Sequence, residues 1–424
     1  KSASDLGLPL VGVGIFWRRG YTRQRIAGGR QVDRYDTLSP DRMPLTEVCT
    51  PAGRKAAAWR CGLASAEKTI GSPLRLRVPV GEDTVLVRAW RLDVGRVPIF
   101  LLDTNLPDNA PKHRKLTERL YSGDRDTRIR QEIVLGVGGW MLLQALRLPV
   151  AACHLNEGHA AFCAVQRVAE QIESGRTFSQ AVGDVARSTV FTTHTPVPEG
   201  NETFEPELVE AYFAPWAEAT GIGWERMLSL SRIDPTSDRE KFGMTPLALR
   251  LSDHRNGVSR LHGEVSRRMW KDVWPRRRAG APTIGHITNG VHVPTWMHPK
   301  MEALLDEYLV DGWRDAHDDP RVWKNVARIP AERLWSLHTE FKRELCDFVL
   351  CKQGEGLATR SSRGPLDPEA LTIGFARRFA TYKRATLIFT DAARFARLVG
   401  DATRPVQIIF AGKAHPADEA GKAF

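Results

Sequence analysis

Residues 371–384 have the sequence LTIGFARRFATYKR, and this stretch decides the fold class. The apolar run 371–375 predicts a strand. A helical pattern follows from about residue 381 to residue 399, where Gly400 ends it, and a second apolar run occupies 406–411. Strand, helix and strand in this order predict a parallel sheet and therefore an α/β fold.

The same stretch gathers positive charge at the point where its strand ends. Four cations crowd the end of the strand and the predicted first turn of the helix: Arg377, Arg378, Lys383 and Arg384. No acidic residue lies nearer than Asp391, although a helix N-terminus favours acidic side chains. Helix N–H groups and forked arginine donors bind phosphate dianions, and open α/β sheets place ligands at this edge. The pattern favours an anion site, with a solvated basic turn as the alternative.

A change in composition indicates where the chain divides. Residues 361–368 are rich in serine, glycine and proline turn signals and predict a linker. We therefore expect two domains, residues 1–365 and residues 366–424. One strand–helix–strand unit cannot cover both faces of a parallel sheet, so the second domain is expected to be the beginning of a larger one. The first residues resemble the end of a helix, and the chain is expected to be an interior fragment of a longer protein.

The remaining elements follow from apolar spacing. Helices are predicted at 126–148, at 155–174 and within 301–353, and strands within 8–16 and at 97–102 and 188–193. The apolar run 133–143 is interrupted by glycines and is shorter than the ~20 residues that a membrane-spanning helix needs. We expect it to be a buried core helix.

The composition is that of a globular protein and disfavours several function classes. The chain has 424 residues, 42% of them hydrophobic, and a formal net charge of +11. Only 14 of the 61 cations are lysines and the cations are scattered, which argues against a nucleic-acid partner. The six cysteines form no C-x-x-C pair, so no zinc site or disulfide framework is indicated. A reduced, cytoplasmic protein without a metal or a membrane segment is expected.

Other polar motifs lie near the ends of apolar runs. His154 and His159 flank an Asn-Glu pair, but they are five residues apart, whereas a zinc-binding helix needs histidines four apart. A metal is therefore not expected, and the group suits sugar hydroxyls or a hydrogen-bonded core. His194 follows the predicted strand 188–193, and Asn289 belongs to an Asn-Gly turn signal. A structural role is the alternative for each of them.

Six motifs in their order along the chain carry a family resemblance. They are HLNEGH at 154–159, THTPVPEG at 193–200, NGVSRLH at 256–262, ITNGV at 287–291, the residues 377–384 and FAGKA at 410–414. Together they resemble the α-glucan phosphorylases (glycogen, starch and maltodextrin phosphorylase), especially the shorter bacterial branch, over essentially the whole chain. The resemblance implies a GT-B architecture. A Rossmann-like N-terminal domain with helical insertions (1–365) and the start of a second Rossmann-like domain (366–424) would flank the active-site cleft.

The resemblance also implies an activity. Members of the family use inorganic phosphate to cleave the terminal α-1,4-glucosidic bond of a glucan, and they release α-D-glucose 1-phosphate with retention of configuration. They carry pyridoxal 5′-phosphate, whose phosphate group relays a proton to the substrate phosphate. A cytoplasmic location is implied, and a homodimer is compatible with the resemblance.

The cationic motif matches the phosphate contacts of the family. Arg378 and Lys383 match the cations that hold the substrate phosphate near the cofactor phosphate, and Arg377 matches a further cation at the cofactor phosphate. Tyr382 matches a contact to the glucosyl unit. Animal-type members carry a His-Glu pair before the Tyr-Lys-Arg, whereas here Phe379 and two small residues follow the arginines, so the contacts of that histidine have no counterpart.

The other motifs match groups that contact the sugar. His194 and Asn289 match the groups that bind the glucose 6-hydroxyl, and the backbone carbonyl of His194 matches one that stabilises developing positive charge. His159 matches a histidine of the cleft. Asp124 lies where the family has a mobile gate loop, which is shorter here.

The family has two further motifs that the resemblance places outside this sequence. Its glycine loop, which contacts phosphate, would precede Lys1, and the lysine that forms the Schiff base with the cofactor would follow Phe424. We therefore expect the 424-residue polypeptide by itself to be inactive.

Other functions stay open at this point. A nucleotide-sugar-dependent GT-B glycosyltransferase would use the same cations to hold a diphosphate, and a noncatalytic glucan-binding or nucleic-acid-binding fragment would need no complete cleft. A glycoside hydrolase needs two carboxylates on either side of the scissile bond. Glu157 and Glu199 are available for that role, but the sequence does not place them.

Overall fold

The computed structural model describes residues 1–50, 71–120, 124–274, 284–355, 357–358 and 364–423, apart from the side chain of Glu199. These residues form two compact units, Lys1–Gly20 with Thr37–Val291 and Tyr21–Asp36 with His292–Phe424. The predicted domain boundary at 365/366 falls inside the second unit, and residues 361–363 of the predicted linker lie outside the described residues. The division into residues 1–365 and 366–424 stays a prediction.

The strands occur in both units. In chain order they are β1 (Gly12–Ile15), β2 (Arg23–Ala27), β3 (Arg30–Arg34), β4 (Thr46–Glu47), β5 (Leu76–Val80), β6 (Asp83–Val94), β7 (Val97–Asp103), β8 (Cys153–Asn156), β9 (Thr189–Thr193), β10 (Thr203–Phe204), β11 (Phe242–Gly243), β12 (His254–Gly257), β13 (Gly285–His286), β14 (Leu371–Ala376) and β15 (Val406–Ala411).

The helices connect these strands and extend the second unit. They are α1 (Ser2–Asp5), α2 (Pro111–Arg114), α3 (Arg125–Ile133), α4 (Gly139–Ala145), α5 (Phe162–Glu173), α6 (Phe178–Arg187), α7 (Pro206–Ala219), α8 (Trp224–Ser231), α9 (Met244–Arg250), α10 (Arg260–Met269), α11 (Val293–Trp296), α12 (Pro299–Tyr308), α13 (Ala331–Gly354), α14 (Ala392–Val399) and α15 (Glu419–Ala423).

The first unit contains a mixed sheet in the order β1–β7–β6–β4, with β5 also paired to β6. Strands β1 and β7 are parallel, whereas β6 is antiparallel to its partners. The predicted strand 97–102 is confirmed as β7, and the one within 8–16 is confirmed as β1. Alternate residues of β5 and β6 are buried and place one face of this hairpin on the core: Val78, Val80, Val85 and Val87.

The predicted helix 126–148 is confirmed as α3 and α4, which the π-helical turn Val134–Gly138 joins. The apolar residues of its inner face are buried, as their spacing predicts: Ile129, Ile133 and Val137. Helix α5 packs directly on the π-helical turn. A Cβ at Gly136 would lie 2.7 Å from the amide nitrogen of Cys163, so only glycine allows this approach.

The second sheet of the first unit is parallel throughout, in the order β13–β12–β9–β8. Asn156 of β8 and Asn256 of β12 both lie opposite Thr192 of β9. The predicted strand 188–193 is confirmed as β9. Because the four strands run in the same direction, the residues that follow them meet at one edge of the sheet.

The predicted helix 155–174 begins only at Phe162, so the prediction is wrong for residues 155–161. Leu155 and Asn156 belong to β8, which pairs with β9. Glu157 has a left-handed φ of 73°, which no α-helix accommodates. Strand pairing outweighs the helical spacing of the apolar residues here.

The second unit is built around β14 and β15, which pair in parallel along their whole length. The predicted strands 371–375 and 406–411 are confirmed. The antiparallel hairpin of β2 and β3 packs beside them. Lys413 Nζ donates to the carbonyl of Thr22 at 2.7 Å, and the amide of Ala414 donates to Gln31 Oε1 at 2.9 Å.

The predicted helix 381–399 is wrong in its first part, which instead forms two separate 3-10 turns. Arg384 has a left-handed φ of 54°, which ends the first of them. The α-helix begins only at Ala392, where Asp391 caps it by accepting a hydrogen bond from the amide of Arg394 at 2.9 Å. The four cations therefore lie on a loop rather than at a helix N-terminus, and the helix dipole contributes nothing to an anion site there.

With parallel and mixed sheets and helices between their strands, the fold is of the α/β class, as predicted. Among the described residues, no helix combines the length and the hydropathy that crossing a bilayer requires. The same part of the chain contains no cluster of three His, Cys, Asp or Glu side chains arranged to hold a metal ion.

Candidate functional site

The polar motifs of the first unit follow the four strands of its parallel sheet. In sheet order, the residues after β13, β12, β9 and β8 are Asn289, Val258, His194 and Glu157. The amide of Asn289 donates to the carbonyl of Val258 at 3.2 Å, which fixes two of these segments to each other. We call this place the parallel-sheet edge, and it is the candidate site of the first unit.

The carboxylate of Glu157 joins the ends of β8 and β9. Its Oε2 atom accepts hydrogen bonds from the amide of His194 at 2.8 Å and from the hydroxyl of Thr195 at 2.9 Å. Its Oε1 atom accepts one from the amide of Gly158 at 3.2 Å. Because both oxygens are engaged by the protein, the geometry gives no support to a hydrolase role for this carboxylate.

A chain of polar side chains crosses the parallel sheet beside this edge. His154 Nε2 lies 2.7 Å from Thr192 Oγ1, and the Thr192 hydroxyl donates to Asn256 Oδ1 at 3.0 Å. Since the hydroxyl proton points to Asn256, the ring of His154 donates from Nε2. Burial lowers the pKa of His154, so its ring is neutral at pH 7. These hydrogen-bonded side chains link β8, β9 and β12 and stabilise their register.

His159 lies in the 3-10 turn Gly158–Ala160, directly after Glu157. Burial lowers the pKa of His159 and the charge of Arg128 acts in the same direction, while the carboxylates of Glu157 and Glu202 oppose them. The ring is therefore neutral at pH 7. A neutral imidazole offers one donor and one acceptor, which suits a sugar hydroxyl.

An ion cluster connects α3 to the segment that follows β9. Arg128 donates to both carboxylate oxygens of Glu202 at 2.9–3.1 Å, and Arg125 Nη1 lies 3.5 Å from the same carboxylate. Arg128 Nε also lies 3.1 Å from Glu132 Oε1, one turn further along α3. A guanidinium and a carboxylate joined by two bonds have a defined geometry. This pair therefore holds the segment after His194 against α3.

The two carboxyl groups of the cluster differ in their protonation. Glu132 is buried, and its Oε1 atom lies 3.1 Å from Arg128 Nε. Burial and then the neighbouring Glu202 carboxylate raise the pKa of Glu132 well above its ordinary value. Burial alone would also raise the pKa of Glu202, but Glu132 and Arg128 outweigh burial and lower it. Glu132 therefore keeps its proton at pH values where Glu202 is ionised.

Replacing Glu132 by Gln removes this titration and keeps the shape of the protonated side chain. A group whose pKa is raised on folding stabilises the fold below its unfolded value, and this contribution is lost as the pH rises toward the folded value. Above pH 4.5, the ordinary value, we expect the wild-type protein to lose free energy of unfolding relative to Glu132→Gln. The expected loss is about 1.4 kcal/mol per pH unit until Glu132 ionises.

Urea denaturation of the two full-length proteins at roughly pH 5 and pH 8 measures this difference. A difference that stays constant between the two pH values, or that favours the wild-type protein at the higher one, would contradict a protonated Glu132.

Asp124 caps the N-terminus of α3. Its Oδ1 atom accepts a hydrogen bond from the amide of Thr127 at 2.6 Å, and its Oδ2 atom accepts one from the hydroxyl of the same residue at 2.8 Å. These bonds, the amide bond most of all, lower the pKa of Asp124. The neighbouring residues 121–123 lie outside the described residues. The assignment of Asp124 to a gate loop stays a prediction.

The second unit carries the cationic residues on the loop that follows β14. The amide of Arg377 donates to the carbonyl of Ala411 at 3.1 Å, and the amide of Phe379 donates to the carbonyl of Lys413 at 3.1 Å. Between them, a Cβ at Gly412 would lie only 2.0 Å from the carbonyl oxygen of Arg377. The loops after β14 and β15 are thus held together at the carboxyl ends of two parallel strands. We call residues 377–384 the cationic loop.

The cations of this loop have no acidic partner among the described residues. Arg377, Arg378 and Arg384 are exposed and Lys383 is partly buried, and none of them forms an ion pair with a described carboxylate. The ammonium of Lys383 lies 4.8 Å from the centre of the exposed Tyr382 ring. Uncompensated guanidinium and ammonium groups on one loop can bind a phosphate group.

All six sequence motifs lie in a part of the chain that matches a known protein family. Residues 144–424 match the model of the carbohydrate phosphorylases, which is well over half of the chain. The chain belongs to the carbohydrate phosphorylase family. The resemblance seen in the order of the sequence motifs is thereby confirmed.

Three curated relatives illustrate this membership. The chain is 41% identical over 428 residues to the maltodextrin phosphorylase of Thermococcus litoralis. This match covers all of the chain and 48% of the relative. The chain is 38% identical over 446 residues to the glycogen phosphorylase of Mycobacterium tuberculosis (H37Rv), covering 49% of it. It is 36% identical over 431 residues to the glycogen phosphorylase of Aquifex aeolicus, covering 59% of it. The chain spans about half the length of the curated relatives it matches.

The predicted site residues of this carbohydrate phosphorylase chain are divided between its two units. The first unit contains Asp124, His159, His194 and Asn289, and the second contains Arg377, Arg378, Tyr382 and Lys383. His194 and Asn289 are exposed at the parallel-sheet edge, and the described residues offer neither side chain a hydrogen-bond partner. The residues of the second unit share the cationic loop. Their individual roles stay predictions.

The contacts that organise the first-unit site are not predicted from the sequence. Glu202 is 74 residues from Arg128, and Glu157 is 37 residues from His194, so spacing along the chain indicates neither pair. One signal was available at Glu132, which lies on the apolar face of a predicted helix. An acidic residue at such a position is buried only with a partner, and the partner is then to be sought elsewhere in the chain.

Proposed function

We propose that the full-length protein catalyses phosphorolysis of terminal α-1,4-glucosidic bonds in glycogen, starch or maltodextrin and releases α-D-glucose 1-phosphate with retention of configuration. The relatives named glycogen and maltodextrin phosphorylase support this reaction class. The observation that carries the proposal is the cationic loop, whose cations no described carboxylate neutralises. A reaction that brings phosphate to its substrate needs fixed positive charge where the phosphate reacts.

We also propose a GT-B architecture, with residues 1–365 as a Rossmann-like domain with helical insertions and residues 366–424 as the start of a second one. Each unit supports this with parallel strands whose carboxyl ends carry predicted site residues. A cytoplasmic location is part of the proposal, and it is supported by cysteines that are free throughout the described residues.

In this proposal the cationic loop holds phosphate groups. Arg378 and Lys383 bind the substrate phosphate, and Arg377 binds the phosphate group of pyridoxal 5′-phosphate. The residues fit this task, because guanidinium forks and an ammonium group that pair with no described carboxylate can take up two phosphate groups. When bound, the cofactor supplies a phosphate group that exchanges a proton with the substrate phosphate.

The parallel-sheet edge serves the sugar. The bond from C1 of the terminal glucosyl unit to the glucan oxygen breaks, a bond from C1 to a phosphate oxygen forms, and the proton of the phosphate goes to the departing oxygen. The carbonyl of His194 stabilises the positive charge that develops at C1, while His194 and Asn289 bind the 6-hydroxyl. Tyr382 contacts the glucosyl unit, the neutral ring of His159 lines the cleft, and Asp124 belongs to a gate loop.

The full-length protein tests this function. Incubated with maltodextrin, inorganic phosphate and pyridoxal 5′-phosphate, it is expected to form glucose 1-phosphate. The 424-residue chain alone is expected to form none, because it spans about half of the relatives' length. A coupled enzymatic assay for glucose 1-phosphate measures both.

Each outcome bears on a different statement. Product from the 424-residue chain alone would contradict its inactivity. If the full-length protein forms no glucose 1-phosphate but transfers glucosyl units from a nucleotide sugar, its reaction is a nucleotide-sugar-dependent transfer and not phosphorolysis. Binding of glucan without turnover of either donor would leave a noncatalytic glucan-binding protein.

A further inference from the structure

We infer that Glu157 is a positioning residue of the reaction: its carboxylate aligns the backbone carbonyl of His194 and adds negative charge beside the place where the glucosyl unit becomes positive. The inference rests on the proposed function and deepens it, because that proposal assigns no role to Glu157.

One carboxylate oxygen holds the chain on both sides of the His194 carbonyl. Glu157 Oε2 accepts from the amide of His194 at 2.8 Å and from the hydroxyl of Thr195 at 2.9 Å. The carbonyl of His194 lies between these two donors along the chain, so both bonds restrict its rotation. No described group donates a hydrogen bond to this carbonyl oxygen, which leaves it available to a ligand.

The backbone of Glu157 indicates that the carboxylate itself matters. With φ of 73° and ψ of 167°, the residue occupies a region that glycine adopts readily and other residues rarely do. Such a conformation persists where the surroundings hold it, and here the amide of Glu157 donates to the carbonyl of Thr192 at 2.9 Å. A glycine would relieve this strain but would bring no carboxylate to His194.

The negative charge of Glu157 is not compensated by a cation among the described residues. Its donors are two backbone amides and a hydroxyl, and it forms no ion pair with a described cation. The nearby Arg128 binds the carboxylate of Glu202 instead. In a partly buried site such a charge acts over several ångströms. It therefore stabilises a positive glucosyl unit more than a neutral one, which is the condition for accelerating the reaction.

Two variants of the full-length protein separate charge from structure. Glu157→Gln keeps the shape and an acceptor but removes the charge, whereas Glu157→Gly relieves the backbone and removes the side chain. We expect kcat to fall at least about tenfold in Glu157→Gln and about 100-fold in Glu157→Gly, with KM for phosphate changed less than about twofold. Thermal unfolding of each variant reports whether it is folded.

Glu240→Gln is the matched control. The carboxylate of Glu240 also accepts hydrogen bonds from backbone amides, with Ile233 at 2.6 Å and Asp234 at 3.3 Å, but it does not lie at the parallel-sheet edge. We expect its kcat to stay within about twofold of the wild-type value.

Ligand binding distinguishes this role from a merely structural one. Calorimetry on the full-length protein is expected to show that Glu157→Gln lowers the affinity for a cationic iminosugar at least about tenfold and the affinity for neutral glucose less than about twofold. The reason is that only the iminosugar carries the charge that the carboxylate faces. If Glu157→Gln loses affinity for both ligands equally, or for neither, the inference is overturned. Activity of the wild-type protein would then still leave the proposed function standing. If the wild-type protein forms no glucose 1-phosphate, the proposed function fails and this inference fails with it.

Discussion

Replacing Arg378 by Ala in the full-length protein is expected to lower kcat/KM for phosphate by about 10³-fold, the range lost when a charged donor to a phosphoryl group is removed. Arg378 is exposed and has no acidic partner among the described residues, so its removal changes few contacts. The free energy of unfolding should change by less than about 0.5 kcal/mol. Initial rates of glucose 1-phosphate formation over a range of phosphate concentrations measure the loss.

Two further variants make this result specific. Arg378→Lys keeps the charge but not the planar fork, so its kcat/KM for phosphate should fall about tenfold, which is less than in Arg378→Ala. Arg397→Ala removes an arginine that is also exposed and without an acidic partner among the described residues, but on α14, and should behave as wild type. An unchanged dependence on phosphate in Arg378→Ala would remove Arg378 from the phosphate site.

Replacing Gly412 by Ala is expected to displace the cationic loop. The new Cβ would lie 2.0 Å from the carbonyl oxygen of Arg377 and 3.1 Å from its carbonyl carbon. Because these are backbone atoms, they move only if Arg377 and the adjacent Arg378 move with them. Overpacking of this kind costs about 1–3 kcal/mol of unfolding free energy. A displacement of about 1 Å in groups that hold the substrate lowers the rate about 100-fold.

Gly374→Ala is the matched control for this substitution. Gly374 lies in β14 of the same unit, and a Cβ there meets no atom within 4 Å. Its unfolding free energy should therefore stay within about 0.5 kcal/mol of wild type, with unchanged activity. Urea denaturation and kcat/KM are measured for both proteins. Equal behaviour of Gly412→Ala and Gly374→Ala would disprove the close approach of the two loops.

The strands of the fold are predicted from the sequence better than the ends of its helices. The run 406–411 is confirmed as β15 over its whole length, since a short apolar run between turn signals is typical of a strand. Helix starts are wrong where a local interaction outweighs apolar spacing. Strand pairing and the left-handed φ of Glu157 delay α5 to Phe162, and the Asp391 cap delays α14 to Ala392.

The candidate site is predicted only as far as motifs and strand ends allow. The sequence places His194 after a predicted strand but gives Asn289 only as part of a turn signal, and the parallel sheet brings both to one edge. Spacing along the chain does not predict which side chains then bind each other. The bonds of Glu157 to His194 and of Arg128 to Glu202 form only when distant segments pack together. For the same reason the burial of Glu132 becomes visible only in the folded chain.

The crystal structure of the full-length protein with pyridoxal 5′-phosphate and inorganic phosphate tests the central claim most directly. We predict a phosphate ion with its oxygens within hydrogen-bond distance of the Arg378 guanidinium and of Lys383 Nζ, and the cofactor phosphate next to Arg377. The account would be contradicted if phosphate binds elsewhere while these three side chains contact only solvent.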